Sequence, residues 1–508
     1  MNRKRSFYNI AIGLASQILS IALGIVIPRL FLLNYGSEVN GFLNTITQIF
    51  VYFSLLEAGV GATTLQALYG PVSKNCAEDI NGILAATDRY YRRTGKIYAL
   101  AVLLLATIYP LVLHSEMSFL TMFLIIMFNG IPGVISYYFQ GKFLILLQAE
   151  GKAYVNTALM SITNTAISIS KIILMLIGFD VLAVQFCYLI ISLLKVLIIA
   201  LYIKKKYSWI NLQVAPNYKA IEQKNSAFIM QICDLIFRNT DTIILSLFCD
   251  LKVVSVYAMY TLLYSMVRTV LDYISQGFSF VMGQAFNADI GKFKRLNDLY
   301  ETYRMALTYA LFNIAYVFIL PFMKLYTSGV NDINYLDSKV ALLFVIYYLM
   351  TASRANEAEM INYAQHFKLT QTRCIVEAVI NLVVSLVAVY FLGIYGVLIG
   401  TIIALLYRLN DMVLYANHRI LHRSAWVTYK RIITNSVTFV LISIFSVSLP
   451  WKMVSYLSVI SFACVFGIIA ILIYFIIASL TNKDEFCLLL EYIKPLERKV
   501  KKKLTIHR

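Results

Sequence analysis

The chain has 508 residues, of which 60% are hydrophobic and only 14% charged, and its mean hydropathy is +0.73. A soluble protein carries about a quarter charged residues, so this composition excludes a soluble globular protein and indicates a polytopic helical membrane protein. The formal net charge of +18 would also suit nucleic-acid binding, but its distribution along the chain argues against a nucleic-acid partner.

The predicted elements are apolar windows that recur from end to end of the chain. The first follows "MNRKRS" and continues to Ile27, too long for the core of a signal peptide, and is therefore interpreted as a retained helix. About fourteen spans are predicted, at 7–27, 40–64, 97–113, 118–139, 153–177, 180–203, 225–248, 255–285, 301–323, 339–363, 370–392, 394–416, 431–449 and 454–480.

The basic residues between these spans predict the orientation. Of the 44 Lys and Arg residues, 33 fall on the side of the termini, 5 on the opposite side and 6 inside spans. The positive-inside rule then places both termini in the cytoplasm of a multi-pass protein. Most of the net charge is thus an orientation signal, to which the "RKVKKK" tail adds an attraction for anionic membrane lipids.

Two cytoplasmic segments resemble each other weakly. "TDRYYRR" near residue 90 and "YETYRMA" near residue 303 each follow a span that carries a glycine, Gly59 or Gly277. Duplicated halves are a common transporter plan. We therefore predict an all-α protein with two pseudo-symmetric six-helix lobes, at 1–206 and 207–423, followed by two further helices within 424–480 and a basic cytoplasmic tail at 481–508.

Charged residues inside the spans are the most informative feature. In "DLIFRNTDTIIL" (234–245), Asp234, Arg238 and Asp241 share one helical face. A lone charge at the bilayer centre costs roughly 2.5–3.5 kcal/mol, so such residues are expected to face protein or a wet cavity. The other intramembrane charges are Glu57, Lys171, Lys195, Arg268, Asp272, Arg354, Glu357, Glu359, Glu377, Arg408 and Asp411.

A purely structural interpretation is open for several of these charges. Asp234 with Arg238, and Arg268 with Asp272, have the i, i+4 spacing of pairs that neutralise each other. Lys195 and Arg408 lie near the cytoplasmic ends of their spans, where snorkelling is the expected behaviour.

The functional interpretation is a transport site for an anion. Arginine is suited to bidentate phosphate contacts, and carboxylates in the same cavity could bind a coupling ion. No catalytic constellation stands out, and the seven cysteines form no C-x-x-C pair, so neither an enzyme nor a zinc site is expected. No cofactor is expected apart from a coupling ion, H⁺ or Na⁺.

The segment "PRLFLLNYGSEVNGFLNTITQIFVYFSLLEAGVGATTLQALYGPV" (28–72), the following "INGILAATDRYYRRTGKIY" and the fourteen-span plan resemble the polysaccharide transporter family, within the multidrug/oligosaccharidyl-lipid/polysaccharide flippase superfamily. The resemblance implies two lobes forming a V around a cavity that opens alternately to each side. It also implies a substrate, an undecaprenyl-pyrophosphate-linked oligosaccharide moved from the cytoplasmic to the outer leaflet for capsule, exopolysaccharide or O-antigen assembly.

By this analogy the anion-binding candidates are Arg238, Arg268, Arg354 and Lys171, and the coupling-ion candidates are Glu57, Asp234 and Asp241. The implied location is the bacterial cell membrane. The implied partners are the lipid-linked oligosaccharide, membrane lipids, and the polymerase and glycosyltransferases of the same pathway.

Three alternatives stay open. A multidrug or organic-cation antiporter of the same superfamily would want an acidic cavity. A membrane polysaccharide polymerase would be expected to carry a large external loop. A structural scaffold of the polymer machinery would need no buried charges.

Overall fold

The computed structural model describes residues 3–56, 60–218, 225–447 and 453–492; the side chains of 3–21, 225–231, Asp234 and a few single positions lie outside the description. Regular structure in these ranges is helical. The first eight helices are α1 (Arg3–Phe53), α2 (Val60–Ser73), α3 (Ala77–Val112), α4 (Phe119–Phe139), α5 (Gly141–Ala149), α6 (Ala153–Ile177), α7 (Val181–Lys206) and α8 (Asn225–Phe248). The others are α9 (Leu251–Ala288), α10 (Ile290–Tyr326), α11 (Ser338–Ser353), α12 (Ala355–Tyr363), α13 (Phe367–Leu392), α14 (Ile394–Tyr415), α15 (Trp426–Val447) and α16 (Tyr456–Thr481).

The helices begin and end where local chemistry allows. Five of them start after a Ser or Asp whose side chain accepts a hydrogen bond from a backbone amide of the first turn. This bond satisfies an amide that the helix itself leaves unpaired. The five residues are Ser118, Asp180, Asp289, Asp337 and Ser455. The helix α1 is interrupted at Gly36, whose φ of +81° glycine adopts without steric cost. This break separates the first two predicted spans.

Ten helices within the described ranges are long and apolar enough to cross a membrane. The helical, multi-pass membrane architecture is therefore confirmed. The fourteen predicted spans overlap these helices where the structure describes them. The span 40–64 contains the end of α1 at Phe53 and the start of α2 at Val60, and the segment 339–363 is divided at Arg354 into α11 and α12.

Contacts separate the chain into two units, residues 1–258 with 329–333, and residues 259–328 with 334–508. In the first unit α3 packs on α4, α4 on α7 and α6 on α7; in the second, α10 packs on α11, α11 on α14 and α13 on α14. The two units thus repeat one packing pattern, while α15 and α16 pack on α10 of the second unit. The predicted lobe boundary at residue 206 follows the internal sequence repeat, whereas the contacts divide the chain at residue 258. The predicted boundary therefore stays a prediction.

The backbone breaks are repeated as well. A single residue, Gln140 or Arg354, separates α4 from α5 and α11 from α12, and these two positions are 214 residues apart. The turn after each short helix contains a residue with positive φ, Gly151 or Gln365, again 214 residues apart. Discontinuous helices at corresponding positions of duplicated halves are where transporters commonly place their binding sites.

Candidate functional site

The predicted site residues are divided between the two units. Lys171, Arg238 and Asp241 belong to the first unit, and Arg268 and Arg354 belong to the second. Glu57 and the side chain of Asp234 lie outside the described residues. The local surroundings of each remaining residue are distinct.

Lys171 lies on α6, where its ammonium group is near two aromatic rings. The Nζ atom is 5.6 Å from the ring centre of Phe31 on α1 and 5.3 Å from that of Tyr188 on α7. Both distances are within the range of a cation–π interaction, which stabilises a charge that has left water. The rings hold the cation without neutralising it, so its positive charge can still act on an anion.

A groove of about 350 Å³ opens between α1 and α6, close in sequence to Lys171. The α6 wall is polar and the α1 wall is mainly apolar. The lining residues are Ser161, Asn164, Thr165 and Ser168 on α6, and Leu23, Gly24, Ile27 and Pro28 on α1. The spacing of 161, 164, 168 and 171 is three, four and three residues, so Lys171 continues the polar stripe along one face of α6.

Sequence reasoning missed this stripe because it searched for charges. Hydroxyl and amide groups in "SITNTAISISK" are uncharged and sit in an otherwise apolar span. Their helical periodicity is the signal that would have found them. The stripe offers hydrogen-bonding groups that lead to a cation.

Arg238 and Asp241 on α8 differ in exposure, although the sequence places them on one face. Arg238 is exposed, whereas Asp241 is buried and accepts a hydrogen bond of 2.9 Å from the hydroxyl group of Tyr257. This contact gives the Asp241 carboxylate a partner on α9. The proposed coupling role of Asp241 stays a prediction.

Arg268 on α9 forms the local pair that its spacing predicts. Its Nε atom is 3.5 Å from a carboxylate oxygen of Asp272, one turn later. The Asp272 side chain is 52% exposed and that of Arg268 is 24% exposed. The pair is partly accessible, and the role of Arg268 as an anion-binding residue stays a prediction.

Arg354 is the residue at the break between α11 and α12, and it belongs to a buried ion network. Its guanidinium group bonds one oxygen of Glu377 on α13, while Nε of Arg408 on α14 is 3.3 Å from the other oxygen. Arg408 also contacts Asp411 at 2.7 Å, and Arg373 contacts the same carboxylate at 2.6 Å. Three arginines and two carboxylates give the network a formal charge of +1.

The interpretation of Arg408 as a snorkelling residue is wrong. Its side chain is only 1% exposed and is bound by two carboxylates within the second unit. Snorkelling needs a route to water, and the packing of α14 against α11 and α13 does not leave one to this side chain.

A second ion network joins α10, α15 and the segment after α16. The side chain of Glu301 is fully buried and accepts hydrogen bonds from Arg423, Arg431 and Thr428 at 2.9, 2.8 and 2.7 Å. Arg431 also contacts Asp298 at 3.1 Å and bonds Glu485. Two arginines and three carboxylates give this network a formal charge of −1, and its contacts anchor the helices of the second unit.

Glu357 differs from every other acid described. It lies on α12 with a relative exposure of 0%, and neither carboxyl oxygen has a hydrogen-bond partner among the described residues. The sequence analysis counted it as an intramembrane charge without assigning it a role. In the part of the chain that the structure covers, no group of three or more His, Cys, Asp or Glu side chains could hold a metal ion.

Comparison with solved structures identifies the fold. "Lipid II flippase MurJ, inward closed conformation" matches with a TM-score of 0.63 and 13% identity, over 92% of this chain and 98% of that one. An inward-facing multidrug resistance MATE family transporter of the MOP superfamily matches with a TM-score of 0.64 and 15% identity, over 79% of this chain and 95% of that one. No family profile and no curated protein sequence matches this chain. The chain therefore has the fold that this flippase and this transporter share.

Proposed function

We propose that this protein is a flippase that moves an undecaprenyl-pyrophosphate-linked oligosaccharide from the cytoplasmic to the outer leaflet by alternating access. The observation that carries the proposal is the polar stripe of α6, which faces α1 across a groove and continues to Lys171. Hydroxyl and amide groups suit a sugar, and the ammonium group suits the pyrophosphate. The apolar wall of α1 suits the lipid portion.

The similarity to MurJ supports a lipid-linked substrate, because it extends over 92% of this chain. Under this proposal Arg238, Arg268, Arg354 and Lys171 are each candidates for attracting the anionic head group, and Glu57, Asp234 and Asp241 remain coupling-ion candidates. The protein then acts as a transporter rather than an enzyme. It resides in the bacterial cell membrane with both termini cytoplasmic, and it works beside a polymerase and glycosyltransferases.

The alternative is a multidrug exporter, favoured by the similarity to the MATE family transporter at a TM-score of 0.64. The two functions differ in the charge of the substrate. A lipid pyrophosphate requires cations at its site, whereas an organic cation requires acids. The effect of substituting Lys171 therefore distinguishes the two functions.

Leaflet-resolved labelling of the lipid-linked oligosaccharide in depleted cells, complemented with variants, tests the proposal. Lys171→Ala should reduce the rate of outward movement by about 10-fold to 100-fold, because a hydrogen bond to a charged group contributes about 1.5–3 kcal/mol. Asn164→Leu should also reduce the rate, because the larger apolar side chain fills the groove. Arg89→Ala, at an exposed position on α3, is the matched control and should leave the rate unchanged.

A lipid-linked pool that stays fully outward-facing after depletion would contradict flipping. Wild-type-dependent resistance to organic cations in the same cells would then favour the exporter.

A further inference from the structure

Glu357 is a carboxyl group without a counter-ion of its own. The charged groups that act on it are Glu301 and Arg304 from α10 and Arg423 from the segment after α14. Each of these is already engaged, because Glu301 binds Arg423 and Arg431, and Arg304 donates to Ser275 and to the carbonyl of Ala352. Arg423 and Arg431 therefore bind Glu301 and Asp298, Arg304 donates to neutral groups, and none of these three arginines is hydrogen-bonded to a carboxyl oxygen of Glu357.

The charged groups of the other elements near α12 have partners or lie elsewhere. Arg354 at the start of α12 binds Glu377. Arg268 on α9, a helix that contacts α12 through Ser279 and Tyr363, pairs with Asp272. The only charged residue of α11 is Lys339, at its opposite end, and Arg408 of α14 is bound to Glu377 and Asp411. His418 and Arg419 in the segment 416–421 are exposed, and Glu359 on α12 itself accepts from Tyr363 at 3.1 Å.

The corresponding region of the first unit holds an ion pair. Asp88 on α3 and Glu301 on α10, 213 residues later, are both buried carboxylates. On the short helix α5, Lys142 is 3% exposed and its Nζ atom is 2.5 Å from Asp88. On the equivalent helix α12, one position further from the break, the side chain is that of Glu357.

By the 214-residue offset of the breaks, Glu357 is the neighbour of the residue equivalent to Lys142, and Glu301 is the neighbour of the residue equivalent to Asp88. The second unit therefore has two buried acids in the region where the first unit has a lysine and an acid. Two ionised carboxylates cannot share such a site without a cation between them. The first-turn position of Glu357 favours its ionised form through the helix dipole, but complete burial without a hydrogen bond from another described residue to its carboxyl oxygens opposes ionisation more strongly. A bound proton removes both the charge repulsion and the desolvation cost.

We propose that Glu357 is a proton-binding site, protonated in this conformation, on the short helix α12 whose counterpart α5 carries the ammonium group of Lys142. The carboxylate takes one proton from water and becomes a neutral carboxyl group, and it returns that proton when the break between α11 and α12 admits water. Unpaired amide donors in the same unit, Nδ2 of Asn297 and Nδ2 of Asn356, suit a carboxyl group better than a metal cation. The use of this proton to drive transport rests on the proposed function.

Infrared difference spectroscopy of the purified full-length protein during pH titration tests the site independently of transport. We expect a protonated-carboxyl C=O band that survives well above the pH at which exposed carboxyl groups ionise, and that is lost in Glu357→Gln. Glu359→Gln, two residues away on the same helix, is the matched control and should retain the band. Persistence of the band in Glu357→Gln, or its absence from the wild type, would overturn the proposal, as would loss of the band on adding NaCl at constant pH, which would indicate Na⁺ binding instead.

Measurement of lipid movement in proteoliposomes with an imposed pH gradient tests the flippase function separately from the proton-binding site. If the band assigns to Glu357 and the gradient accelerates lipid movement in the wild type but not in Glu357→Gln, both proposals are supported. If the band assigns to Glu357 but no lipid movement occurs in the wild type, the proton site stands and the flippase proposal fails.

Discussion

At the scale of single residues, the structure distinguishes charges that serve the fold from charges that are available for a ligand. Arg408 and Glu301 are buried and form ion pairs. The Lys171 ammonium group lies near two aromatic rings, and Glu357 has no hydrogen-bond partner for either carboxyl oxygen in the described structure. The type of residue is the same in both groups, so the partner rather than the charge decides the role.

The buried pair of Lys142 and Asp88 offers a test of a structural charge. Lys142→Met should destabilise the protein by about 2–4 kcal/mol, because it leaves a buried carboxylate with only the exposed Arg92 as partner. Thermal unfolding in detergent measures this change. The double variant Lys142→Met with Asp88→Asn should recover most of the loss, since no uncompensated charge then remains.

A single variant as stable as the wild type would contradict the assignment of this pair. It would mean that Arg92 alone satisfies Asp88.

At the scale of helices, close approach of backbones depends on small residues. A Cβ atom at Gly400 on α14 would lie 2.4 Å from Oγ and 2.7 Å from the backbone nitrogen of Ser385 on α13. Such contacts let two membrane helices pack tightly in the absence of a hydrophobic driving force. By contrast, a Cβ atom at Gly277 on α9 would meet nothing within 4 Å.

Gly400→Ala should therefore destabilise the second unit by about 1–3 kcal/mol, because the added methyl group forces α13 and α14 apart. Gly277→Ala is the matched control and should be neutral or slightly stabilising, since alanine favours a helix over glycine. Thermal melting of the two variants under one set of conditions decides between them. Equal melting temperatures would show that α13 can move away at no cost.

At the scale of the whole molecule, the repeated packing pattern and the repeated breaks indicate that one architecture serves both units. The breaks at Gln140 and Arg354 match, yet the short helices that follow carry opposite charges, Lys142 and Glu357. The same backbone arrangement therefore carries different side chains in the two units. The first unit has the ion pair of Lys142 with Asp88, and the second has the buried carboxyl group of Glu357.

The orientation of the molecule is a prediction from its basic residues. In a variant that keeps Cys487 as its single cysteine, this residue should react only with reagents that reach the cytoplasm. In a cysteine-free background, Glu116→Cys should react with an impermeant reagent added outside. The physical reason is the excess of Lys and Arg on the side of the termini. Reversed labelling of the two positions would place the termini outside and reverse the proposed direction of transport.

Sequence alone determined the class of this protein, because apolar segments of membrane length and the distribution of basic residues need no knowledge of contacts. It also located the charges that the bilayer would not tolerate. It could not determine which of them are paired, since Arg354 and Arg408 meet Glu377 only through the packing of α13 and α14 with the break before α12.

Only the tertiary structure decided which polar groups lie together along a groove and which buried carboxyl group has no hydrogen-bond partner in the described structure. The α6 stripe became a candidate site once α1 was seen across the groove, and Glu357 became one once its neighbours were found to be engaged elsewhere. A hydrogen bond or an ion pair is a property of two positions brought together by the fold. The sequence specifies each position, but the free energy of the pair depends on the distance and burial that only packing sets.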